Sequence, residues 1–347
     1  MRAVSGPRNL EVGLRAALAV AVPLSVLFAV GRLDLTAYAT FGAFTALYGR
    51  NEPYQYRVRT LTVAAIALLV SIAAGIGLAV AGEPLPLVAV ALVVVVGGGT
   101  LFVTVFQIVP PQSLFFVFAL LVCAAIPTAP ADVLPRLGLA AVSAAFAWLL
   151  TMSGWAIRRI PGASQGLLAR SGLVTELRRR PGIDTAALRD PRVWLTVVQN
   201  VVGVLLAGGI ALAFGFGHAY WAVVSVVAVI PPARAAHSIS RSLHRIVGTV
   251  VGVAVTAVLL SWSPPAAFVI AVIVVCQFFA EILVARHYGA ALVFITPLAL
   301  SVSHLANPTP IGTLVIDRVL ETVLGAGIGI VLVLLARGFE RRRGLAP

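Results

Sequence analysis

Residues 220–252 read YWAVVSVVAVIPPARAAHSISRSLHRIVGTVVG, and the rest of the chain is understood from this stretch. An apolar helical run from Tyr220 to Ile230 is stopped by Pro231-Pro232, which cannot continue a helix. A basic amphipathic turn follows, with Arg234, His237, Arg241, His244 and Arg245. A second apolar helix opens at Ile246 and sets Gly248 and Gly252 four residues apart, so that a neighbouring backbone can approach closely. The reading is two membrane segments joined by an arginine-rich hinge.

Composition extends that reading to the whole chain. It is 60% hydrophobic and 11% charged, with mean hydropathy +1.04, whereas soluble domains carry about 25% charged residues. The net charge of +13 comes entirely from arginine, since no lysine occurs. Those arginines lie between long apolar runs and form no basic stripe on a soluble fold. The expected partner is therefore the lipid bilayer and its anionic headgroups, not nucleic acid. Cys123 and Cys276 fall inside apolar runs without a CxxC companion, so neither a disulfide framework nor a metal site is expected. No HExxH spacing, nucleophile–base pair or cofactor motif is visible, which speaks against an enzyme and against a bound cofactor. The leading MRAVSGPRNLEVGLR runs into an apolar segment without a small-residue cleavage site, the pattern of a retained first span.

A spanning helix needs roughly 20 apolar residues. On that ruler the expectation is an all-α integral membrane protein with twelve helices. The first half holds Leu14–Val30, Leu35–Tyr48, Leu61–Ala81, Leu85–Phe106, Leu114–Ala129 and Leu134–Ile157. The second holds Val193–Phe214, Ala219–Ile230, Ile246–Trp262, Pro265–Val284, Ala290–Ala306 and Ile311–Ala336. The second and eighth are short, the expectation for tilted partners that do not fully span. Residues 158–192, with RR, RRR and two Pro-Gly pairs, read as a basic cytoplasmic linker too short for a folded domain. The domain reading is a first six-helix unit over 1–157, the linker, a second unit over 193–337, and a cytoplasmic tail over 338–347. With both termini in the cytoplasm, twenty-two of the 25 arginines fall on the inner side, and only Arg32, Arg136 and Arg318 fall outside. That asymmetry is what the positive-inside rule demands of a multi-pass protein.

The halves also repeat. Tyr38 and Tyr220, Arg59 and Arg241, Arg136 and Arg318, and Arg159 and Arg341 are each 182 residues apart. Two six-helix units that both start inside are parallel repeats, related by an axis along the membrane normal. The hinge pattern, Tyr220-Trp221, Pro231-Pro232 and Arg241-x3-Arg245-x2-Gly248-x3-Gly252, resembles the signature of the FUSC-like (fusaric acid resistance) family. Members of that family are integral membrane proteins related to aromatic acid exporters. Phe41–Gly49 followed by Tyr56-Arg57-Val58-Arg59 resembles it more loosely in the first half. Many relatives carry a large soluble cytoplasmic region, in place of which this chain has the linker and Arg337–Pro347.

Ionisable residues within membrane helices are functional candidates by default. Asp317, Arg318 and Glu321 share one face of the last helix, with Glu321 roughly 15 Å from its start. Glu321 and Asp317 are candidates for proton coupling, with a self-neutralising salt bridge as the structural alternative. Arg136 and Arg318, at matching positions of the halves, are candidates for binding an anion on the path between them. Asp132 reads as a surface partner of Arg136, and Glu281 as a carboxylate snorkelling at the inner end of its helix. The amides Gln107, Gln199, Asn200 and Gln277 read as helix-to-helix hydrogen bonds. The resemblance implies a transporter of the bacterial cytoplasmic membrane exporting small organic anions, such as aromatic carboxylic acids, on the proton gradient. A passive anion channel, akin to the plant aluminium-activated malate transporters, and a non-transporting membrane scaffold are the alternatives. Assembly with further copies of the same chain stays open.

Overall fold

A computed structural model describes residues 6–157, 179–232, 240–306 and 310–343. Among them the only regular elements are helices: α1 (Gly6–Ala29), α2 (Thr36–Ala43), α3 (Tyr54–Val80), α4 (Leu85–Val105), α5 (Leu114–Ala124) and α6 (Val133–Ile157) precede the linker. After it come α7 (Pro191–Ala213), α8 (Tyr220–Val229), α9 (Ser240–Leu260), α10 (Ala266–Leu283), α11 (Tyr288–Ala306) and α12 (Ile311–Arg343). Nine of these are long and apolar enough to cross a membrane, all but α2, α5 and α8.

The three short helices have 8, 11 and 10 residues. At 1.5 Å per residue they reach about 12–17 Å, half the thickness of a bilayer core. Every residue of α2 is buried, as is every residue of α8 but Tyr220. Helix ends leave carbonyls and N–H groups unpaired, so a broken helix at membrane depth is tolerated only where protein encloses it. α8 stops where the sequence says it must, with Ile230 extended (ψ 125°) ahead of Pro231. The fifth span differs from the expectation of Leu114–Ala129, because α5 ends at Ala124. Pro127 disfavours helical geometry at Ile126, and the chain turns before it.

Other boundaries differ as well: α1 begins at Gly6, eight residues before Leu14, and α12 runs to Arg343, seven beyond Ala336. α9 begins at Ser240, six residues before Ile246, and α3 at Tyr54, seven before Leu61. Arginine is a good helix former, so the basic residues that read as hinge and loop extend the helices instead. Arg234 and His237 lie outside the described residues, as do 158–178 of the linker.

Helix pairings within the first six elements recur within the second six. α2 packs on α6 and α8 on α12; α3 packs on α5 and α9 on α11; α1 meets α2 as α7 meets α8. Across the halves the exchange is reciprocal: α1 packs on α10 and α4 on α7, while α5 meets α8 and α11 meets α2. Two glycines set the tightest crossings. A Cβ at Gly42 of α2 would lie 2.3 Å from the carbonyl oxygen of Ala140 on α6, and one at Gly325 of α12 would lie 2.1 Å from that of Ala222 on α8. Gly248 and Gly252 stand where α9 crosses α11, at 2.5 Å from Gly289 O and 2.7 Å from Thr296 Cβ by the same measure.

Beyond the bundle, Arg179 at the end of the linker is bonded to Glu52 and to the carbonyl of Gln107. Gly182 N–H donates to Gln107 Oε1 at 3.0 Å and Asp184 N–H to Val105 O at 2.8 Å. The linker end is thereby strapped to α4 and to the start of α3.

Candidate functional site

The reciprocal contacts of α2, α5, α8 and α11 leave a cavity of about 120 Å³ between the halves. Phe41, Phe44 and Phe118 line it from the first half, and His218, Tyr220 and Trp221 from the second. Phe118 and Trp221 are 4.8 Å apart by ring centroid, and Tyr220 and Trp221 4.9 Å. The lining is thus largely apolar and aromatic, with Thr40, His218 and Ser303 among its polar groups.

Each half stacks an arginine against an aromatic ring of its own short helix. Arg318 Cζ sits 3.7 Å from the Trp221 ring centroid, and Arg136 Cζ 5.3 Å from that of Tyr38. Their surroundings otherwise diverge. Arg136 Nη1 reaches Tyr38 Oη at 2.8 Å, Thr128 Oγ1 at 2.6 Å and Pro127 O at 3.0 Å, and Nη2 lies 3.7 Å from Asp132. Arg318 is 1% exposed, and its Nε and Nη1 find no hydrogen-bond partner among the described residues. The two are not at equivalent helix starts, as the sequence suggested. Arg136 is in the first turn of α6, whereas Arg318 is two turns into α12, beyond reach of the free N–H groups at that helix end. Each is engaged by side chains of its own half.

Asp317 and Glu321 meet on one residue, His218. Its ring Nδ1 lies 2.9 Å from Asp317 Oδ2, and its backbone N–H donates to Glu321 Oε1 at 3.0 Å. Glu321 is wholly buried, its Oε2 has no hydrogen-bond partner, and no ion pair joins it to Arg318 among the described residues. The histidine borders the cavity as well, so it connects the cavity wall to the buried carboxylates. Nothing in the local sequence singles out His218. No local spacing links it to residues a hundred positions away.

At the other end of α8, Arg241 Nε donates to Ala228 O at 2.7 Å and Nη2 to Gln112 Oε1 at 2.9 Å, while Gln112 Nε2 donates to Ile230 O at 2.9 Å. Arg241 thus closes the C-terminal end of α8, where carbonyls and the helix dipole favour a cation. Arg245, one turn on, is 3% exposed and is not on a solvated hinge. Its Nη2 donates to Ser225 Oγ at 3.4 Å, and its Nε has no partner among the described residues.

Of the remaining candidates, Asp132 is half-exposed beside Arg136. Glu281 has Arg50 and Arg15 as its nearest charges, and Arg50 Nη1 donates to its carbonyl oxygen at 3.0 Å. Gln199 Nε2 bonds across to Leu332 O at 3.1 Å, while Asn200 Nδ2 turns back to Thr196 O within α7. No group of three or more His, Cys, Asp or Glu side chains capable of holding a metal occurs among the described residues.

The elements α7–α12 that carry Arg245, Arg318, Glu321 and His218 are also where comparison with known proteins succeeds. Residues 196–332 match the family described as fusaric acid resistance protein-like. Over 135 residues, 38% of this chain, the sequence is 31% identical to the uncharacterized membrane protein YvaC of Bacillus subtilis (strain 168). That alignment spans 21% of the relative's own length. No solved structure matches. The resemblance carried by Tyr220-Trp221, the proline pair and the Arg-x3-Arg-x2-Gly-x3-Gly run is thus met independently: over residues 196–332 this multi-pass membrane protein is similar to the fusaric acid resistance protein-like family.

Proposed function

We propose that the protein exports small organic anions, aromatic carboxylates among them, across the bacterial cytoplasmic membrane on the proton gradient. The observation that carries this is the aromatic cavity between the halves, bordered by His218 with its two carboxylates and backed by the arginine stacked on Trp221. Rings accept the apolar body of such a substrate, and a guanidinium answers its charge. Arg136 and Arg318, stacked on Tyr38 and Trp221, are the anion-attracting pair, one from each half. Glu321 and Asp317 are the proton-coupling groups, with His218 between them and the cavity.

The arrangement that goes with this reading has twelve membrane helices in two parallel six-helix repeats about a two-fold axis along the membrane normal. The 182-residue offset and the recurring, reciprocal helix pairings support it. Both termini and the 158–192 linker lie in the cytoplasm, in keeping with the distribution of arginines.

Flux into proteoliposomes tests the function. Benzoate should accumulate uphill when a pH gradient is imposed and stop accumulating when it is collapsed. Downhill movement alone would make the protein a passive anion channel, and no movement would leave a membrane scaffold.

A further inference from the structure

Buried cations need partners, because desolvating a charge without an opposing one costs several kcal/mol. The second half buries two guanidiniums on one face of α8, and among the described residues neither makes an ion pair with a carboxylate, although Glu321 is close enough to act on Arg318. Arg318 covers Trp221, Arg245 reaches Ser225, and these two α8 residues are four apart, about 6 Å along the helix. The charges are near enough to act on one another. Nε of Arg245, and Nε and Nη1 of Arg318, are N–H donors with no acceptor among the described residues. The indole Nε1 of Trp221 between them is a fourth. Glu321 is the nearby acid, but it accepts from His218 N–H and makes no ion pair with either arginine.

At the corresponding positions the first half has no such pair. At an offset of 182, Trp221 corresponds to Ala39, Ser225 to Ala43, Arg245 to Val63 and Glu321 to Leu139. Only Arg318 has a like counterpart, Arg136, whose Nη1 already has three oxygen acceptors while its Nε has none among the described residues.

We infer that Arg245 and Arg318 together form a carboxylate-binding site inside the second half, between α8, α9 and α12. A planar carboxylate offers four lone-pair sites to the free N–H groups of two guanidinium forks. The Trp221, Tyr220 and Phe118 rings then receive the body of an aromatic acid from the cavity side. This deepens the transport reading on which it rests, by adding Arg245 to Arg318 in recognising the charge and giving Arg245 a ligand.

Binding to the purified full-length protein in nanodiscs tests the site, with benzoate and the uncharged benzamide as probes. Wild-type protein should prefer benzoate at least tenfold. Arg245→Gln and Arg318→Gln should each remove that preference while leaving benzamide affinity within twofold, which also certifies the fold. Arg32→Gln, an exposed loop arginine, should keep it. If either glutamine variant yields no folded protein, its lysine variant takes its place, with a threefold or greater loss of preference expected. A preference that persists in the Arg245 and Arg318 variants overturns the site, as does a wild-type protein that binds neither probe. Benzoate flux separates the two proposals: unchanged flux in Arg245→Gln sinks the site but not transport, and preserved binding without flux sinks transport but not the site.

Discussion

Gly325→Ala is the smallest change with a large expected effect. The added Cβ would stand 2.1 Å from Ala222 O and 2.9 Å from Ser225 Cβ. Comfortable non-bonded separations are about 3.5 Å, so α12 and α8 must part by roughly 1 Å. The obstructing atoms are backbone and Cβ, and no rotamer change relieves them. Overpacking of this kind costs about 1–3 kcal/mol, enough to shift a folding equilibrium about fivefold or more. Gly327→Ala is the control, since nothing lies within 4 Å of the Cβ it would add. Reversible unfolding in mixed micelles, followed by circular dichroism, should show a loss for the first and none for the second. The displacement also draws Arg318 away from Trp221, so benzoate affinity should fall in the first variant alone. Equal stability of the two alanine variants would refute the account of how these helices meet.

Two further outcomes follow from charged groups. Glu52 lies outside the spans and is fully buried, and burial raises its carboxyl above the ordinary range although Arg179 opposes the shift. A raised carboxyl favours folding below its ordinary value and loses that contribution as pH rises, so Arg179→Ala should destabilise the protein at neutral pH and much less at pH 4; Glu52→Gln in the same background should restore it, and an equal loss at both pH values would contradict the pairing. Glu321→Gln should abolish uphill benzoate accumulation yet leave exchange across equal gradients, and normal proton-driven accumulation in that variant would remove Glu321 from the coupling mechanism.

How legible the molecule was depended on whether a feature is local. Pro231 fixes the end of α8 through the geometry of Ile230, and the weak length of α2 and α8 is visible as runs too short to span. The Asp317–Arg318–Glu321 face follows from helical spacing alone. The burial of Arg245 does not. An arginine at a helix end reads as solvated, and sequence pattern cannot separate a guanidinium that snorkels from one turned inward against a neighbouring helix. Nothing next to Arg245 announces Ser225, twenty positions earlier across a proline turn, as its partner. His218 is hidden for the same reason, since its partners lie on α12. The early end of α5 was recoverable from Ile126-Pro127, a signal outweighed by the apolar run around it.

The inward arginines bear on the proposed orientation, which rests on counting arginines on each side. A buried guanidinium answers to protein neighbours rather than to the membrane potential or to anionic lipid, so it should not be counted. Removing Arg15, Arg57 and Arg245 from the twenty-two leaves nineteen, and removing Arg318 from the three leaves Arg32 and Arg136. The imbalance survives, so the proposed orientation does not depend on the arginines found buried among the described residues. The same subtraction isolates the cations whose position topology does not explain. Arg15 has Glu11 within 4.0 Å, and Arg57 covers the Tyr54 ring and has a further partner. Arg245 and Arg318 have a serine hydroxyl and an indole face. An arginine held inside a membrane protein with less than its donors require is costly unless something else supplies acceptors. On the proposed reading, an organic anion bound there would offset that cost, and the site would be most stable when occupied.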